Sequence, residues 1–125
     1  MKKYLALVVL ILVSTFAKSQ DLDEIKKLIL LQKYEEAKPK LDNFLAVEKN
    51  ASNPEAWYYK AYLYNSLGRV ATKPIKESSS LFQGAFDALK KYAELDPKAP
   101  LAVSDSNVIA FNTYYGFYDL GIKTY

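Results

Sequence analysis

From residue 22 onward, apolar positions recur at steps of three and four, the spacing of one face of an α-helix. Leu22, Ile25, Leu28 (or Ile29) and Gln32 predict a first helix over about 22–32. Asp21 and Glu24, three apart at its entrance, look like a capping box. Tyr34-Glu35-Glu36-Ala37 then leads into Leu41, Phe44, Leu45 and Val47, which predicts a second helix over 34–48 after a tight turn at Gln32-Lys33. Pro39 falls inside that helix, where a proline costs about 3 kcal/mol. Either the helix starts later or it kinks near Lys38. Residues 48–53 are polar and loop-like. Their Asn50-Ala51-Ser52 is formally an N-glycosylation acceptor, read here as a chance match in a helix-to-helix loop.

The stretch that organises the chain is 53–67, which holds the only Trp and four of the eleven Tyr. Asn53 suits an N-cap, Pro54 suits the first helical position, and Glu55 sits beside the positive end of the dipole. Trp57, Ala61 and Tyr64 share one face, large–small–large, which lets a second helix approach closely. Gly68 is placed to cap the helix C-terminus. Residues 70–80 are irregular: a loop, or an early helical turn opened by Pro74. Phe82, Phe86, Leu89 and Tyr92 (or Ala93) then form a clear stripe ending at 94–97. After a polar link over 97–100, Val108, Phe111, Tyr115, Tyr118, Ile122 and Tyr125 form a last stripe within 103–125. Ile109, Phe117 and Leu120 make that helix apolar on other faces too, so it calls for cover on several sides, from further chain or from another molecule.

The first residues belong to a different kind of segment. Lys2 and Lys3 precede an apolar run over 4–13, half the roughly 20 residues a spanning helix needs. With small residues at Ala17 and Ser19, this reads as a secretory signal peptide over 1–19, cleaved after Ser19; an uncleaved membrane anchor is the competing reading. The expected location is therefore the periplasm or the exterior. Three of the 17 basic residues, Lys2, Lys3 and Lys18, lie before the cut, leaving 14 against 14 acidic ones. A near-neutral mature chain with no basic stripe is a poor partner for nucleic acid or an anionic membrane. The chain contains neither cysteine nor histidine, so it lacks a disulfide, a thiolate nucleophile, the commonest metal ligand and the commonest general base.

Two helix pairs with matching internal spacing resemble the tetratricopeptide repeat (TPR) family, whose unit is a helix-turn-helix. Trp57, Ala61 and Tyr64 match the large–small–large positions of a helix A, and Ala85, Leu89, Tyr92 and Leu95-Asp96-Pro97 match a helix B with its terminator. Tyr34-Glu35-Glu36-Ala37 resembles the junction into an earlier helix B, and Phe117, Leu120 and Gly121 the start of a later helix A. The resemblance covers most of 22–125 and implies an all-α solenoid of antiparallel helix-turn-helix units, about five helices after the signal peptide. The units are 22–52, 53–98 and an incomplete 103–125, in one domain over 20–125. Lys60 departs from the pattern, where an apolar residue is usual, and about twelve residues are inserted around 70–80.

The resemblance further implies an exported bacterial protein that binds a peptide or protein partner in a groove lined by helix A. Carried over position by position, the groove residues are Glu55, Tyr58, Tyr62 and Asn65, joined by Tyr115, Tyr118 and Ile122. Each tyrosine has the competing role of packing against a neighbouring helix. With Tyr58 and Tyr62 where a chaperone-docking TPR carries Lys and Asn, a carboxylate clamp is not expected. No phosphate loop, nucleophile elbow or metal spacing is present. Adjacent acids such as Glu35 and Glu36 read as helix-start partners. The expectation is a non-catalytic interaction module without cofactor or metal; the alternative is an oligomerisation module using the aromatic last helix.

Overall fold

A computed structural model describes residues 22–105 and 108–123; the stretch 1–19 read as a signal peptide, Asp21 and Tyr125 fall outside these. Every described element is helical: α1 (22–30), α2 (Tyr34–Ala46), α3 (Pro54–Gly68), α4 (Ile75–Leu95), α5 (Pro100–Ser104) and α6 (Val108–Lys123). The all-α expectation holds.

Local chemistry accounts for most boundaries. α1 ends earlier than its stripe predicts, because Gln32 takes a left-handed backbone (φ 58°). The Lys33 N–H bonds to Leu28 O and the Gln32 N–H to Ile29 O, both at 2.9 Å, the paired closure of a Schellman turn. α2 starts at Tyr34 and stays helical through Pro39, so the helix does not start late. The hydrogen bond that proline omits would go to the carbonyl of Glu35, an exposed residue. Asn50 donates its side-chain N–H to Phe44 O at 3.1 Å, closing the end of α2 with the very nitrogen a glycan would modify. Asn53 caps α3 as expected, its Oδ1 accepting from Ala56 N–H at 3.4 Å.

One alternative is decided and one expectation changes. Pro74 does open the next helix, and the three serines lie inside α4, so much of the insertion lengthens a helix rather than a loop. Gly68 is the last residue of α3 and has no positive φ. Its role is spatial: a Cβ there would stand 2.9 Å from the Phe82 ring.

α3 is the central element and packs most extensively on α4. The two run antiparallel, since Tyr58 meets Tyr92 near one end and Gly68 meets Phe82 near the other. Ala61, Ala85 and Ala88 are fully buried, and a Cβ at Gly84 would stand 2.6 Å from Tyr64. Small residues thus let the backbones close on large rings, as the Trp57–Ala61–Tyr64 pattern predicts. One core cluster joins α1, α2, α3 and α4 through Ile25, Ile29, Leu41, Leu63, Leu67 and Leu81; a second joins α3, α4 and α6 through Ala61, Tyr92 and Ile109. Both clusters lie between Leu22 and Ile109, so a chain beginning at Gln20 keeps the described core.

On the α2 side, Asp42 collects Lys38 at 3.0 Å, Lys60 at 3.6 Å and the Tyr64 hydroxyl at 2.5 Å. The Lys60 ammonium also lies over the Trp57 and Tyr64 rings. That arrangement explains the unusual Lys60: its charge has a carboxylate and its stem covers aromatic surface.

Candidate aromatic interaction surface

The seven groove positions separate into three groups. Tyr58 and Asn65 are buried. The Tyr58 hydroxyl donates to an Asp105 carboxylate oxygen, while its ring packs on Tyr92 with centroids 5.4 Å apart. Asn65 donates its side-chain N–H to Thr113 Oγ1 at 3.0 Å, and Thr113 in turn donates to Ile109 O. Both side chains lie under the segment from α5 to α6. Of the two roles open to Tyr58, the described structure gives it packing. Asn65 likewise lies beneath α6.

Glu55 and Tyr62 are partly accessible. Glu55 pairs with Lys26 at 2.8 Å, tying α3 to α1, and this hydrogen bond raises the Lys26 pKa. Tyr62 is 39% exposed and meets Tyr34 edge-on, with centroids 6.5 Å apart. Tyr115 and Tyr118 form the third group, both exposed on α6. Ile122 lies on the same helix, and its side chain falls outside the described residues.

Here the stripe read from sequence meets an unexpected outcome. The inward face of α6 is Ile109, Thr113 and Gly116, all buried, while Val108, Phe111, Tyr115 and Tyr118 look outward. Phe111, Tyr114, Tyr115 and Tyr118 touch one another in sequence, the Phe111 and Tyr115 rings at 4.4 Å and the Tyr115 and Tyr118 rings at 6.3 Å. They make a continuous aromatic ridge along the helix. On the adjoining flank lies a groove of about 590 Å³ between α4 and α6, bounded by Phe86, Leu89, Ala110, Tyr114 and Phe117. Phe86, a member of the α4 stripe, is 54% exposed in that groove rather than buried in the core. Tyr114 and Phe86 were missed as surface residues; the signal available was that α6 carries more rings than one buried face can hold.

Two tyrosines of α3, Tyr58 in the site and the half-buried Tyr64 on the α2 side, carry a pH signature. Burial first, then the hydrogen bond to a carboxylate, raises the pKa of both Tyr58 (to Asp105) and Tyr64 (to Asp42). In the unfolded chain tyrosine titrates near about 10. The native state therefore holds protons that the unfolded state releases, and this contribution to stability is complete below pH ~10 and declines as pH rises above it. Each tyrosine steepens that loss by up to about 1.4 kcal/mol per pH unit. Urea unfolding across that alkaline range is expected to show a shallower decline in Tyr58→Phe and Tyr64→Phe than in the parent. Parallel curves would refute it.

The described residues include no group of three acidic side chains that could hold a metal ion, and none of their helices is long and apolar enough to cross a membrane. Comparison with family models, with curated proteins and with solved structures returned no match.

Proposed function

We propose that this chain is the non-catalytic interaction module of an exported protein, built from TPR-like helix pairs. It takes a protein partner on the aromatic ridge of α6 and in the groove between α6 and α4. The observation that carries this reading is the run of mutually touching, exposed rings beside an apolar groove. Rings of this kind present large apolar faces with one hydrogen-bonding tip and little entropy to lose, properties common at protein interfaces. Tyr115 and Tyr118 are the principal contacts, with Phe111, Tyr114 and Phe86 added. Tyr58 and Asn65 act beneath them as supports for α6.

The repeat character has support of its own. α3 runs parallel to the stretch from the end of α5 into α6: Tyr58 meets Asp105, at the end of α5, 47 residues on, and Asn65 meets Thr113 of α6 48 residues on. α1 meets α3 at Lys26–Glu55, an offset of 29. The larger second offset is what the lengthened α4 requires of a helix A–helix B–helix A succession.

Panning a peptide-display library against the chain from Gln20 tests the reading. Apolar, aromatic-rich peptides are the expected winners. Tyr115→Ala with Tyr118→Ala should weaken them at least about tenfold, or 1.4 kcal/mol, with helical circular dichroism unchanged. A library that enriches nothing on the monomeric parent over the double variant would rule the surface out.

A further inference from the structure

The partner class can be narrowed from α6 itself. The helix carries a convex ridge (Phe111, Tyr115, Tyr118) and forms one wall of a concave groove (Ala110, Tyr114, Phe117), on adjoining flanks. A ridge and a groove side by side on one element are what an isologous two-fold contact needs, because each copy then offers the ridge that fills the other's groove. We infer that the occupant of this surface is a second copy of the same chain, docked α6 against α6 with the two α4 helices outside. This rests on the interaction-surface reading above and names its partner.

Area and charge both favour the inference. Exposure of Phe86, Phe111, Tyr114, Tyr115 and Tyr118 runs from 41% to 68%. At about 200 Å² for a whole aromatic side chain, these five rings alone offer roughly 560 Å², against about 800 Å² per partner in a stable interface. A helix pair with its groove rims supplies the remainder. The charges of α6 are only Asp119 and Lys123, and the chain from Gln20 has equal numbers of acidic and basic residues, so two copies meet without net repulsion. A membrane surface is a poorer fit for the same face. An interfacial helix carries a Lys- and Arg-rich polar side, whereas α6 has a single lysine, no arginine, and an exposed Asp119.

Sedimentation equilibrium of the chain from Gln20 across a wide concentration range provides the test, beside single lysine variants at Phe111 and Tyr114. The expected result is a mass that rises to twice the chain mass and stops. Phe111→Lys and Tyr114→Lys should each weaken association at least tenfold with unchanged circular dichroism. A parent monomeric at every concentration overturns the inference, as does a mass that climbs without a plateau or a dimer indifferent to both variants. The display experiment separates the two claims. A monomer whose ridge still selects peptides refutes self-association and keeps the interaction surface, whereas a monomer that selects none refutes both.

Discussion

Replacing Tyr92 by alanine is expected to lower the unfolding free energy by about 3–5 kcal/mol. Tyr92 is 1% exposed and is among the largest fully buried side chains. Its ring lies against Tyr58 on α3, and its hydroxyl accepts the Leu101 N–H at 2.9 Å at the start of α5. One side chain thus holds α4 to α3 and anchors the segment leading into α6. Deleting it removes the apolar transfer term, leaves a cavity between helices that already touch, and strands a backbone donor. Against a total stability of about 5–15 kcal/mol for an ordinary domain, the loss should be plain in the urea midpoint. Tyr92→Phe separates the contributions, keeping the ring and losing only the acceptor, for about 1 kcal/mol. If Tyr92→Ala came within about 1 kcal/mol of the parent, the second core cluster would not be the structural joint described here.

Tyr92 was legible in the sequence because its stripe is amphipathic and its neighbours on that face are small. Much of α2 and α3 was legible for the same kind of reason: Asn53-Pro54-Glu55 announces a helix start, and Ala61 between two rings announces a close neighbour. The stripes on α4 and α6 misled where bulk was taken for burial. On α6 the bulky positions Phe111, Tyr115 and Tyr118 outweigh Ile109, Thr113 and Gly116 in any hydrophobic pattern, yet the second set faces α3 and α4. A close helix crossing selects residues that take up little room, and threonine and glycine contribute little apolar weight. Position along a repeat also says nothing of which later segment lies over it, so Tyr58 and Asn65 read as groove residues although α5 and α6 cover them. The exposed α4–α6 groove was similarly hidden, since Phe86 looks like core until the direction of Phe82 and Ala85 is known.

The same crossing yields the second large effect, at Gly116. A Cβ built there would lie 2.5 Å from two carbons of the Phe82 ring, and one at Gly68 would lie 2.9 Å from the same ring. Phe82 is 2% exposed and also meets Phe117, with centroids 5.9 Å apart. It is therefore wedged between the backbones of α3 and α6, so a side chain at Gly116 fits only if that ring shifts. Gly116→Leu gains up to about 1 kcal/mol of helix propensity, but overpacking that displaces a buried ring costs about 1–3 kcal/mol. The net expectation is destabilisation, with α6 levered off α4. Because the groove is the space between those two helices, peptides selected on the parent should bind at least about tenfold (1.4 kcal/mol) more weakly, although no exposed ring has changed. Phe82→Ala alone should cost about 3–5 kcal/mol. Combining it with Gly116→Leu places the new side chain in the vacated space, so the double variant should be more stable than the two single losses predict, by more than about 0.5 kcal/mol. Strict additivity in the urea midpoints would mean that α6 does not rest on Phe82, and the ridge it carries would then lack the rigid support that a recognition surface needs.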